Sequence, residues 1–108
     1  MGRRPSIQTL RVLSAMLDDV HGEHYGLELS KIAGLPSGTI YPMLARLERE
    51  GWVSSQWEQV DPSVEGRPRK RLYQLTGLGA GEAREHLSSA RRWLAMDLPA
   101  SRLATGSV

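Results

Sequence analysis

Apolar residues recur along the chain at two rhythms, and the change from one to the other separates helices from a pair of strands. Ile7, Leu10, Leu13, Met16, Leu17 and Val20 follow one another at spacings of mostly three or four, the repeat that places side chains on one buried helical face. Ser6 just before them offers a capping hydroxyl, so a first helix is predicted over 6–20, stopped at His21-Gly22. A second, short helix is predicted from Tyr25 to Ala33, closed by Gly34, the residue type best suited to the left-handed position after a helix. After a tight Leu35-Pro36-Ser37 turn, Ser37 is expected to cap a third helix reaching Glu50, with Gly51 as its terminator. Ile40, Met43, Leu44 and Leu47 form the core stripe of that helix. Pro42 is costly beyond a first turn, so regular hydrogen bonding should begin close to residue 38 or 39.

From Trp52 the rhythm changes. Trp52 to Gln59 and Leu72 to Thr76 read as strands, and the turn formers between them, Asp61-Pro62-Ser63 and Gly66-Arg67-Pro68, make a hairpin with a long basic tip. Thr76 then caps a last helix. Its Ala80, Ala83, Leu87, Ala90 and Leu94 alternate spacings of three and four in a seam of the coiled-coil kind, which points to a partner helix from a second copy. Pro99 should end this helix, leaving a small, polar, disordered tail over 99–108. The expected organisation is a winged helix-turn-helix domain over 6–76 and a dimerisation helix over 77–98, a mainly α (α+β) protein whose wing has two strands.

Composition sharpens this picture at three points. A chain of 108 residues holds one domain, and so small a core gains from association with a second copy. The formal net charge is only +2, but Arg67, Arg69, Lys70 and Arg71 fall within five residues, and such clustering suits a polyanion. With no cysteine there is neither disulfide nor thiolate metal site. No apolar run approaches the roughly 20 residues of a membrane span, and no signal-peptide core follows Met1. A cytoplasmic location is the expectation.

Two short helices, a tight turn and a basic hairpin, in that order, are the arrangement of a winged helix-turn-helix. Tyr25-Gly26-Leu27-Glu28-Leu29, Gly38-Thr39-Ile40-Tyr41-Pro42-Met43-Leu44, Arg46-Leu47-Glu48 with Gly51, and Tyr73-Gln74-Leu75-Thr76 closely resemble the PadR family of regulators. The resemblance spans roughly residues 7 to 98. It implies a homodimer whose last helix exchanges contacts with its partner, and a third helix and wing that hold operator DNA. The single C-terminal helix resembles the short subfamily.

A recognition helix enters the major groove with its N-terminal residues nearest the bases. Ser37, Gly38, Thr39 and Tyr41 occupy that place, with Pro42, Arg46 and Arg49 further along the same surface. Glycine permits close backbone approach, and hydroxyls bond base edges or phosphate oxygens. The sequence holds no Asn and the third helix no Gln, so bidentate recognition of adenine from this helix is excluded. Arg46 and Arg49 suit phosphates better than guanines at their distance from the helix start. Tyr41 is open to two readings, a DNA contact or a ring packed over a helix turn. Arg67, Arg69, Lys70 and Arg71 are the candidate wing contacts, Arg67 and Arg69 on a mobile loop.

Trp93 lies beside the C-terminal seam, where plain interface packing is the simpler reading. The PadR resemblance adds a second, the wall of a site between subunits for a small, flat apolar effector. Enzyme-like patterns fail in detail. Gly77-Leu78-Gly79-Ala80-Gly81 has no βαβ unit after it and reads as a helix start, His21, Glu23 and His24 lack further ligands nearby, and no nucleophile, base and orienting acid assemble from spacing. Neither catalysis nor a metal or other cofactor is expected. The sequence therefore points to a sequence-specific DNA-binding regulator, a repressor on an inverted-repeat operator; the alternative is a winged-helix module that binds protein instead of DNA.

Overall fold

In the computed structural model the backbone is described for residues 5–97 and side chains for 5–93. The element order is α1 (Ile7–Leu17), β1 (His24–Tyr25), α2 (Gly26–Ala33), α3 (Ser37–Arg49), β2 (Val53–Trp57), α4 (Pro62–Glu65), β3 (Arg71–Leu75) and α5 (Gly77–Asp97). The expected tail over 99–108 lies outside the described residues.

Local chemistry accounts for most of the boundaries. The Ser6 hydroxyl accepts from the Thr9 amide at 3.1 Å and starts α1. The helix stops at Leu17, three residues short of the expected Val20, because residues 18–21 form turns. Gly34 takes φ 70° after α2, the left-handed conformation expected of it, and Gly51, the expected terminator of α3, takes φ 80°. Ser37 is not the cap of α3. Pro36 holds that position, its carbonyl receiving the Thr39 and Ile40 amides at 2.9 and 3.0 Å, so Ser37 is the first helical residue. Pro42 is accommodated inside α3.

The sheet has three strands where two were expected. Its order is β1-β3-β2, with His24 opposite Tyr73 in one antiparallel ladder and Val53 opposite Leu75 in the other. Only a neighbour could specify β1, since a two-residue strand carries no periodicity of its own. β2 is shorter than the segment predicted for it, β3 begins and ends one residue earlier than predicted, and the connection between them coils into α4, which Asp61 caps through the Ser63 amide at 3.0 Å.

Leu13, Met16, Leu29, Ile40, Leu44 and Leu47 are the largest fully buried side chains, which places the core among α1, α2 and α3. Each contributes roughly 1.5–3 kcal/mol of burial free energy. Val53, Tyr73 and Leu75 close it from the sheet, and Ala80 and Ala83 from α5. Small residues let α5 approach closely. At Gly79 an added Cβ would lie 1.8 Å from the Trp52 carbonyl oxygen, so only glycine fits there. Thr76 completes the joint: its hydroxyl donates to the Gly51 carbonyl at 2.6 Å and accepts from the Gly79 amide at 2.9 Å.

Two expectations about buried faces need correction. Ile7, assigned to the buried stripe of α1, is 62% exposed. Ala80 and Ala83, assigned to the dimer seam, are buried in the core of their own chain, and Leu87 and Ala90 pack partly against it. A repeat of three and four marks an apolar face without saying whose surface covers it. Leu94 lies outside the described side chains.

Candidate nucleic-acid interface

The core stripe of α3 turns Ile40, Met43, Leu44 and Leu47 inward, and helical geometry then fixes what faces out. Ser37, Gly38, Tyr41, Pro42, Ala45, Arg46 and Arg49 are exposed and Thr39 is half-buried. A Cβ added at Gly38 would meet nothing within 4 Å, so the fold does not require glycine there. The Tyr41 ring packs over the first residue of α2, where a Cβ on Gly26 would come within 2.4 Å of a ring carbon. Packing over a helix turn is thus the geometry of Tyr41, with 40% of the residue still exposed. The Arg46 guanidinium donates to the Thr9 hydroxyl at 3.2 Å, which ties this cation to α1. Arg49 has no side-chain partner among the described residues.

The wing is organised around an acid that the sequence reading passed over. Glu58, directly after β2, is 7% exposed. Its Oε1 accepts from Arg67 Nη1 at 2.7 Å and from the Lys70 amide at 2.8 Å; its Oε2 accepts from Arg67 Nη2 at 3.2 Å and from the Tyr25 hydroxyl at 2.9 Å. These bonds all favour the carboxylate, and with the Arg67 guanidinium first among them they hold its pKa down to about 2. Tyr25 is pushed the other way, because its ionised form would lose the hydrogen bond to Glu58 and face a carboxylate. An acid nine positions before Arg67 was the available signal, but Asp61 and Glu65 stand nearer to the basic run and share it. The partners of Glu58 come from β1 and from the return limb of the wing, and β1 was not revealed by the pattern.

The other wing cations are also tethered. Lys70 Nζ lies 4.6 Å from the centre of the Tyr25 ring. Arg71 Cζ lies 5.1 Å from that of Trp57, its Nε donates to the Ser55 hydroxyl at 3.0 Å, and Nη2 is 3.9 Å from Glu48 of α3. Ser55 in turn donates to Glu48 at 2.7 Å, which binds the base of the wing to the recognition-helix candidate. Arg69 donates through Nε to the Val60 carbonyl at 2.8 Å and is otherwise exposed. The expected mobile loop is therefore a folded one, and Arg67 is committed to an internal ion pair.

A separate groove of about 300 Å³ lies between the start of α1 and α5, lined by Pro5, Ser6, Ile7, Leu10, His86, Ser89, Ala90 and Trp93. Trp93 is 60% exposed along it. His86 stacks on Trp52 with centroids 5.8 Å apart. Among the described residues no three His, Asp or Glu side chains gather to hold a metal ion, and no helix is long and apolar enough to cross a membrane.

Residues 12–85 match the transcriptional regulator PadR-like family. The chain belongs to that family, one of transcriptional regulators and not of enzymes. Among solved structures, apo MarR from E. coli is 22% identical and aligns with a TM-score of 0.71 over 95% of this chain and 73% of its own. A PadR-like transcriptional regulator from Bacillus cereus is 21% identical, with a TM-score of 0.65 over 83% and 86% of the two chains. BpsR from Bordetella bronchiseptica, described with regulation of its DNA binding by 6-hydroxynicotinic acid, is 19% identical, with a TM-score of 0.71 over 96% and 76%. At these identities the likeness is one of fold, the winged helix. No curated protein matches the chain by sequence.

Proposed function

We propose that the protein is a sequence-specific DNA-binding repressor acting as a homodimer on an inverted-repeat operator. The observation that carries this reading is the outer surface of α3. Ser37 and Gly38 at its start are exposed, the glycine has open space around it, and Arg49 extends from it without a partner among the described residues. Placed in a major groove, Ser37, Gly38 and Thr39 lie nearest the base edges, while Arg46 and Arg49 reach phosphates. Tyr41 and Pro42 shape the same surface. From the wing, Arg69, with Lys70 and Arg71 behind it, meets the flanking backbone. A cytoplasmic location goes with this function.

For the dimer, the surface is the second half of α5 together with the start of α1, where Ile7 and Trp93 stand exposed on either side of the groove. Large apolar side chains gathered in this way favour cover by a second copy. Leu87 is a poor probe of such a contact because it packs on its own core; Trp93→Asp is the informative change, expected to give a folded monomer in sedimentation. The same groove suits a small apolar effector that releases DNA, a reading supported by the ligand-regulated DNA binding described for BpsR.

The deciding experiment selects duplexes from a random library with the full chain and measures affinity against salt. Binding should weaken with a slope of log K on log salt near −0.9 per phosphate neutralised. Thr39→Ala should lose about 1–3 kcal/mol of preference at paired positions of the two half-sites and keep its non-specific affinity. A uniform loss across sequences would reduce α3 to a backbone clamp, and recovery of no duplex would overturn the reading.

A further inference from the structure

Within this DNA-binding reading, on which the inference rests, we propose that Glu58 is the positioning residue of the wing, that Arg67 is its strut, and that the wing's direct contact with DNA falls to Arg69. An acid so close to a DNA-binding loop is, on charge alone, a defect, because it repels phosphate. It sits at a point where three separate parts of the chain meet. Tyr25 comes from β1, at the entry to α2; Arg67 and the Lys70 amide come from the return limb of the wing; and Glu58 itself ends the outgoing limb. Both Glu58 oxygens are used, and the Glu58 amide donates back to the Lys70 carbonyl at 2.9 Å. The ladder of β2 and β3 thereby continues one pair past its last strand residues. Beyond that pair the tip is held, among the described residues, by the Arg69 bond to Val60, the internal bonds of α4, the Arg67 amide on the Pro62 carbonyl at 3.3 Å and the Arg67 side chain.

The arrangement divides the cations by role. Arg67 gives both terminal nitrogens to Glu58, with Nη1 also on the Pro68 carbonyl at 3.1 Å and Nη2 3.9 Å from Glu65. A guanidinium engaged in a two-pronged pair with a shielded carboxylate surrenders those bonds before it can take a phosphate. Among the described residues Arg69 uses only Nε internally, which leaves its two terminal nitrogens for a phosphate pair without any exchange of partners. The raised Tyr25 pKa follows from the same bond and offers an optical report on it.

The test uses the full chain and a duplex selected by the wild type, with Glu58→Gln, Arg67→Gln, their double variant, Arg69→Gln and Tyr25→Phe. Removing a negative charge near DNA should tighten binding if Glu58 is a bystander. The proposal expects the opposite sign: Glu58→Gln and Arg67→Gln each weaken binding about tenfold, and the double variant is no weaker than the worse single one. Arg69→Gln should weaken binding and lower the salt slope by about 0.9, with an effect that adds to that of Tyr25→Phe. Hydroxyl-radical footprints of the Glu58 variant should lose protection at the operator flanks and keep it at the half-site centres, a pattern that general loss of stability does not produce. Tyrosine absorbance in the same variant should titrate closer to the ordinary range. Tyr25→Phe removes a single hydrogen bond, so it remains informative if the charged variants fail to fold; it should show a smaller loss with the same footprint. Tighter binding by Glu58→Gln, or losses for Glu58 and Arg67 that sum in the double variant, would overturn the assignment while leaving DNA binding intact. A wild-type chain that selects no duplex removes the DNA-binding reading and this inference with it.

Discussion

Around the wing, each of the four cations spends part of its side chain on the protein: Arg67 on Glu58, Lys70 on the Tyr25 ring, Arg69 on the Val60 carbonyl and Arg71 on Ser55 and Trp57. At the start of α3 the outer surface is made of small groups with little around them, and the Gly38 position has no neighbour within 4 Å. Both regions are exposed, yet one is braced by its own polar side chains and the other by an apolar stripe on its far side. The difference teaches that surface charge is a poor guide to which groups are available for a partner. A loop without a hydrophobic core must spend polar contacts to hold its shape, whereas a helix anchored by Ile40, Met43, Leu44 and Leu47 can leave its outer face uncommitted.

Three measurements test this contrast. The largest effect belongs to Leu44→Ala, which removes a fully buried side chain from the stripe that holds α3. A loss of about 2–5 kcal/mol in urea unfolding is expected. Because Glu48 of α3 is bonded to Ser55 and faces Arg71, Trp57 fluorescence and far-ultraviolet dichroism should change at the same urea concentration. Separate transitions would show that the wing is braced independently of α3.

Gly38→Ala should move stability and binding in opposite directions. Alanine has open space there and a better helix propensity, so stability should stay level or rise by up to about 1 kcal/mol. Operator affinity should fall by on the order of 1 kcal/mol, the added methyl standing where backbone meets base edges. Unchanged affinity would remove the strongest reason for glycine at this position.

The third change concerns acid. Glu58 titrates near 2 in the folded chain against an ordinary 4.5, so its contribution to stability is complete above about 4.5 and fades as pH falls toward 2. The wild-type thermal midpoint should therefore drop more steeply over that window than that of Glu58→Gln, which has no proton to gain. Parallel profiles would mean that Glu58 does not brace the wing.

Much of this was legible along the chain because it depends on near neighbours. The inward stripe of α3, the left-handed glycines 34 and 51, the Ser6 and Thr76 caps and the basic run at 67–71 all follow from residues within a turn or two of one another. Periodicity and capping act over that range, so α1, α2, α3, α5, the hairpin and the surface that α3 turns outward are written along the chain, whereas α4 is not.

What only tertiary structure decided is the partner of each group. His24 and Tyr25 form a strand because Leu72 and Tyr73 come alongside them. Ala80 and Ala83 go into the chain's own core while Ile7 and Trp93 are left outside, an assignment that an apolar repeat does not contain. Arg67 reads as a DNA contact until Glu58, nine positions earlier, and Tyr25, far earlier still, are folded against it. Charge and apolarity are properties of a residue, but availability depends on what the rest of the chain brings within 3 or 4 Å.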